Sequence, residues 1–173
     1  MKVILNKKYF SFNKKGDDNM ANKINGLKDI HKLLVNERKI GGVIEVNTLR
    51  LRTGEVYQNA VITHIDLMGS SIYSIGFITE NQQNIIVNIA ELGLLEETKH
   101  KKICELNNQA YKTSKTKAKI KYLKRLFEIN KDSLNPIFFE EAKMIIDDIG
   151  LSAAKKEINT SLIYPENRIY SIA

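Results

Sequence analysis

The sequence predicts an α+β protein with an N-terminal helix, a small bent barrel of four to five β-strands and a C-terminal helical extension. Three observations carry this. A β pattern is confined to the stretch from Gly41 to Leu92. On either side of it, apolar residues recur at three- and four-residue intervals, as they do along one face of a helix. A hydrophobic content of 43% supplies a packed core for 173 residues, a length that suits one domain or a small domain with an appendage.

Four strands are predicted, over Val43–Arg52, Glu55–Leu67, Ile72–Thr79 and Ile85–Ile89. In the first, Ile44 and Val46 share one face, but Leu49 and Leu51 have the opposite parity. A switch near Asn47-Thr48 calls for a bulge or a sharp bend, as a small closed barrel requires. The second strand is apolar on both faces, through Tyr57, Val61 and Ile65 on one and Val56, Ala60 and Ile62 on the other. Such a strand is covered on both sides or strongly curved. Gly76 marks a bend in the third. Thr53-Gly54, Met68–Ser71 and Glu80–Asn84 are the turns. Ala90-Glu91-Leu92 reads as a short turn onto a last pairing segment.

Before the strands, Ile24–Arg38 reads as a helix with Leu27, Ile30, Leu33 and Leu34 on its apolar side. Asn22 or Asn25 is its expected cap, and Gly41-Gly42 its stop. After the strands, the pattern reads as helical from Gly93, with Ile103, Leu106 and Ala110 on one face. Lys112–Lys119 has almost nothing to bury and reads as a linker or a solvated helix turn. Asn135-Pro136 opens a further helix that buries Phe138, Ala142, Ile145 and Ile149 and stops at Gly150. Ser152 is a candidate cap for a short last helix, and the tail from Leu162 is apolar enough to dock. Residues 1–22 read as a disordered arm or a misread leader. Lys15-Gly16-Asp17 can be encoded with a ribosome-binding GGAG before Met20, which makes Met20 a possible true start. The expected division is therefore 1–22, 23–95 for the barrel with its helix, and 96–173 for the basic helical region.

A net charge of +7 and a pI near 9.3 favour acidic partners: nucleic acid, an anionic surface or an acidic protein. A lone Cys104 excludes an intrachain disulfide and fits a reducing cytoplasm. No apolar run approaches the ~20 residues needed to cross a bilayer. Enzyme signals are weak. His31, His64 and His100 are scattered, and His64-Ile65-Asp66 offers only two metal ligands. Neither a phosphate-binding loop nor zinc spacing is present. No catalytic residue, metal or cofactor is expected.

The plan of a helix, a bent strand, three more strands and a final short turn resembles Sm-like and SH3-like small barrels. It is most similar to the Sm-like family of the bacterial RNA chaperone Hfq. Leu27-Lys28-Asp29 resembles the start of that family's helix, and Asn36-Glu37-Arg38-Lys39 its Arg-rich helix end. Val43–Asp66, with Gly54, Tyr57, Val61 and Asp66, resembles its first motif. The resemblance covers roughly residues 27–92. Asn59 stands where Gly is usual, Asp66 falls one residue late, and Val87-Asn88-Ile89 replaces the strand that lines the family's uridine pore. The resemblance implies an RNA-binding, oligomer-forming barrel without that pore chemistry.

The strongest functional signal is the basic run after the strands. Lys112, Lys115, Lys117, Lys119, Lys121, Lys124 and Arg125 can track phosphates, and Tyr111 and Tyr122 can stack on bases. Lys28, Arg38, Lys39, Arg50 and Arg52 form a candidate second basic surface. The expected function is non-enzymatic nucleic-acid binding, with RNA favoured over DNA, by a cytoplasmic regulatory protein, with a homo-oligomer as one form. The alternative is a phage or mobile-element factor that docks on an acidic host protein, such as an inhibitor of a host defence complex.

Overall fold

The computed structural model describes residues 23–131 and 135–164. The arm or leader, Asn22, Met20, and Ile169 and Tyr170 of the tail lie outside the described residues. Among the described residues no helix is long and apolar enough to cross a membrane.

The first helix, α1, covers Leu27–Val35 and buries Ile30. It begins at Gly26 without a side-chain cap. The expected Asn25 cap is corrected: its backbone N–H instead donates to Asp29 Oδ2 at 3.0 Å. A short second piece, α2 (Glu37–Ile40), ends at Gly41 and Gly42, with φ of 67° and 72°. Gly42 also lies against the next layer. A Cβ there would stand 2.7 Å from His100 Nε2 and 2.8 Å from the Lys101 carbonyl oxygen, so both backbone freedom and space demand glycine.

Five strands follow: β1 (Val43–Leu51), β2 (Val56–Met68), β3 (Ser71–Ile78), β4 (Asn84–Asn88) and β5 (Leu92–Lys101). They form one antiparallel sheet in the order β4-β3-β2-β1-β5. A 3-10 turn over Ile89–Glu91 leads into β5, with the Asn88 side chain accepting from the Ala90 N–H at 2.9 Å. The helical reading from Gly93 is thereby overturned. β5 pairs along β1 from Leu51↔Leu92 to Val43↔Lys101, and the 95/96 boundary falls inside it. The Glu96–Lys101 run has no apolar period of its own. Its conformation comes from the free edge of β1, which needs backbone partners. Ile103 and Leu106 are buried, but in and just after a second 3-10 turn (Ile103–Glu105) rather than on a helix.

The parity switch in β1 is present, without an inserted residue. Val46↔Ala60 and Thr48↔Gln58 leave Asn47 facing Asn59, and Val46↔Thr98 and Thr48↔Glu96 leave it facing Glu97. Asn59 and Glu97 have φ of 47° and 50°. Left-handed residues on both sides of Asn47 turn three strands over along one line. Ile44, Val46, Ala60 and Ile62 face the core shared with α1 before that line, and Leu49, Leu51, Tyr57 and Leu95 pack there beyond it. The register shift within β1 and β5 sits instead between Arg50 and Leu51.

Gly76 does not have a left-handed φ. It is glycine because the His64 ring lies over it, with Cε1 only 1.9 Å from where a Cβ would be. The β2–β3 register shifts beside this contact, between Ile62 and His64.

Three further helices complete the fold: α3 (Gln109–Ile129), α4 (Pro136–Ile149) and α5 (Leu151–Lys155). α4 starts as expected, with Asn135 Oδ1 accepting from the Phe138 N–H at 2.8 Å and Gly150 at its end with φ 89°. α5 starts at Gly150, so Ser152 is inside it and not its cap. These helices form a second core with Val43 and Val61 from the sheet. β1 and β2 are therefore covered on both faces, which explains their doubly apolar pattern. Ile163 and Tyr164 of the tail dock on this core, with the Tyr164 hydroxyl bonded to Asp147.

Between the sheet and helices sits Glu45, 1% exposed. Its carboxylate accepts from Lys101 Nζ at 2.5 Å and from the N–H groups of Asn107 and Asn108 at 2.9 and 2.8 Å. Glu45→Gln leaves Lys101 without its counter-charge and should lower unfolding free energy by about 3 kcal/mol. The pair Glu45→Gln with Lys101→Met should recover part of that loss. Urea unfolding of the two variants checks it, and equal losses would show that the ion pair is not the anchor.

Candidate nucleic-acid interface

The basic run folds as one helix of 21 residues, not as a linker. Its start is fixed from both sides. Asn108, wholly buried, accepts from the Tyr111 N–H at 2.9 Å and donates through Nδ2 to the Asn59 carbonyl at 3.0 Å. Glu45 holds the backbone of Asn107 and Asn108 from the sheet. None of these three anchors was among the functional candidates in the sequence. Asn108 carries one legible signal, as a cap residue placed three before Tyr111.

The helix surface divides by direction, at about 100° per residue. Leu123 is buried, with Ile120, Leu126 and Phe127 packed beside it. Several predicted contact residues fall near this buried side and have internal partners. Lys112 Nζ donates to the Cys104 carbonyl at 2.5 Å. Lys115 pairs with Glu37 at 3.3 Å and stands 5.9 Å over the Tyr111 ring. Burial by itself would push the Lys115 ammonium down, but Tyr111 and Glu37 outweigh it and hold its pKa above the ordinary value. Tyr111 packs against the helical core, where burial raises its hydroxyl pKa. Its ring is thereby withdrawn from base stacking, as a large apolar ring is in any core.

The solvent side carries Lys117, Lys121, Lys124 and Arg125, all exposed, with Glu128. Lys124 is paired with Glu157 at 2.7 Å. Lys117, Lys121 and Arg125 are four apart in turn and form one stripe about 12 Å long. Lys119 is half-buried at its flank. Tyr122 is 49% exposed, and its hydroxyl donates to Glu141 Oε1 at 2.6 Å. That hydrogen bond raises the Tyr122 pKa, while nearby Arg38 acts in the opposite direction. The Glu37–Lys115 pair and the Arg38–Tyr122 proximity bring α2 alongside α3. Arg38 and Lys39, both exposed, therefore lie on the Lys115–Tyr122 side of α3, about 100° around the helix from the stripe.

The other predicted residues are not part of it. Lys28 is exposed at the opposite end of α1 from α2. Arg50 and Arg52 are exposed near the β1–β2 turn, and Arg50 is about 17 Å along β1 from Glu45 at the strand's usual rise.

The remaining chemical candidates stay weak in place. His64 Nε2 is 3.9 Å from Asp66 Oδ2, and Asp66 accepts from the Ser74 hydroxyl at 2.6 Å. The Ser74 hydroxyl donates to Asp66, not to an imidazole, so the arrangement lacks the order of an activated nucleophile. Among the described residues no group of three or more His, Cys, Asp or Glu side chains is placed to hold a metal ion. Cys104 is half-buried in the second 3-10 turn, and burial, then Glu105, raises its thiol pKa.

Comparison with protein-family models, curated proteins and solved structures finds no match to this chain.

Asn108→Ala removes the α3 cap and leaves the part-buried Asn59 carbonyl without its donor. Stability should fall by about 2 kcal/mol, read as a lower melting temperature by circular dichroism. An unchanged melting temperature would mean that Glu45 alone fixes the helix start.

Proposed function

We propose that the chain is a non-enzymatic nucleic-acid-binding protein, in which a small Sm-like barrel holds a basic helix against solvent and the helix grips phosphates. The observation that carries this is the Lys117–Lys121–Arg125 stripe. These three side chains have no ion pair among the described residues and lie on a long helix that is capped and docked. Such preorganisation lowers the ordering cost of binding. A stripe of about 12 Å offers three cations in a row to the phosphates of one strand. Arg38, beside Tyr122, adds a cation on the adjoining side of the helix, and the half-exposed Tyr122 ring supplies a stacking face.

The Sm-like assignment is supported by the strand order β4-β3-β2-β1-β5, with a helix before the first strand and a short turn before the last. It is also supported by Asn59. This residue stands where the Sm-like motif usually has glycine, and it has the φ of 47° that glycine accepts most readily. RNA is favoured over DNA through that resemblance. The fold by itself does not fix the ligand.

A second reading has its own support. Lys112, Lys115 and Lys124 are engaged internally, which leaves a short basic stripe of the kind that docks on an acidic protein. In this reading the chain is an interaction factor of a phage or other mobile element.

Replacing Lys117, Lys121 and Arg125 together by Gln should reduce the slope of log affinity against log salt by about 2 for a single strand, at ~0.7 per phosphate contact. Fluorescence anisotropy with labelled oligonucleotides at several salt concentrations measures this. An unchanged slope would remove α3 from the interface. A tight, salt-resistant complex with an acidic protein, and no oligonucleotide affinity, would favour the second reading.

A further inference from the structure

Among the described residues the sheet has two open edges, and they are built differently. β5 pairs only with β1 and carries Glu96, Glu97, Lys99 and Lys101, with the left-handed Glu97 interrupting it. Charges and a kink of this kind discourage pairing with another strand. β4 pairs only with β3 and has neither device. From Asn81 to Ala90 there is no charged residue and no proline.

The β4 sequence Asn84-Ile85-Ile86-Val87-Asn88 is also nearly symmetric about its centre. In an antiparallel pair with a second copy, a two-fold axis through Ile86 sets Asn84 opposite Asn88 and Ile85 opposite Val87. Both halves then match in size and polarity. Ile86 is 59% exposed. Its cross-strand neighbour on β3 is Gly76, and the His64 ring from β2 lies where a Gly76 side chain would be, on the same face. Toward the free edge, the Ile86 of a second copy supplies an aliphatic partner, at the Cβ separation of about 5 Å found between directly opposed residues.

Charge selects the same occupant. Two chains of net charge +7 repel each other, so a self-contact is best placed where the surface is neutral. The segment between Glu80 and Glu91 is such a place. With the axis at Ile86, Glu80 of one copy faces position 92 of the other, and Glu91 faces position 81, so no like charges are opposed.

We infer that β4 is a self-recognition edge. Two copies join β4 to β4 about a two-fold axis at Ile86, and their five-stranded sheets become one continuous antiparallel sheet. The contact is isologous and closed, so it stops at two copies.

Light scattering on the nuclease-treated full chain at high salt tests the assembly, since these conditions remove nucleic-acid bridging. The expected mass is twice 19.8 kDa, falling to the monomer on dilution. Ile86→Lys sets two ammonium groups against each other at the axis. It should give monomer at every concentration, and its circular dichroism should be unchanged because Ile86 is exposed.

A second measurement fixes the geometry. In a Cys104→Ser background, Ile86→Cys should form a covalent dimer under mild oxidation, while Leu94→Cys on β5 should not. A concentration-independent monomer would overturn the inference. So would a dimer that survives Ile86→Lys, or oxidation that links Ile86→Cys chains to Leu94→Cys chains in preference to themselves, since that is β4-on-β5 pairing.

Discussion

Glu45 sits where two halves of the molecule meet. It is on β1, paired with β2 on one edge and β5 on the other, and its side chain points away from the core shared with α1 and toward the helices. A carboxylate in that position is costly to bury unless every lone pair finds a donor. Lys101 and the Asn107 and Asn108 backbones provide those donors. All three come from the end of β5 and the approach to α3. The carboxylate is thus satisfied only when β5 is paired, the second 3-10 turn is formed and α3 starts at Gln109. Apolar contacts such as Val43 and Val61 against the helical core are permissive about angle. The buried charge is not, and it sets where α3 leaves the sheet.

The elements legible in the sequence were those with strong punctuation. Strands β1 to β4 lay within one or two residues of their expected limits, because Thr53-Gly54, Met68–Ser71 and Glu80–Asn84 mark their turns. The α4 limits followed from Asn135-Pro136 and Gly150. What was misread is β5. Its second half, Glu96–Lys101, is polar on both faces, and only the unpaired edge of β1 makes it a strand. That information lies some fifty residues away in the sequence. The kink at Asn47 was visible as a change of parity. Its cause was not, since it lies in the backbone of Asn59 and Glu97 on the flanking strands.

The basic run shows a similar division. Its charges were legible, but their direction was not. A helix distributes its seven positively charged side chains around a full circle, and here the second 3-10 turn, α2 and the segment after α5 claim some of them. Glu37 and Glu157 come from elements far apart in sequence and take Lys115 and Lys124. What remains is narrower than the composition implied, and better oriented. The two tyrosines separate in the same way: Tyr111 belongs to the core, and Tyr122 stays at the surface with its hydroxyl fixed.

The contact between His64 and Gly76 bears on how the hairpin of β2 and β3 finds its alignment. The imidazole occupies the volume that any other residue's Cβ would fill. If the hairpin slips by one residue, the ring meets Ile75 or Phe77, and two large side chains of the core shared with α1 are turned to the wrong face. A two-residue slip keeps the faces but sets Ser74 or Ile78 under the ring. The sequence of β3 has a single glycine, so the ring has a single berth. Alignment of this hairpin is therefore checked by a local steric fit that does not involve the helices covering β2.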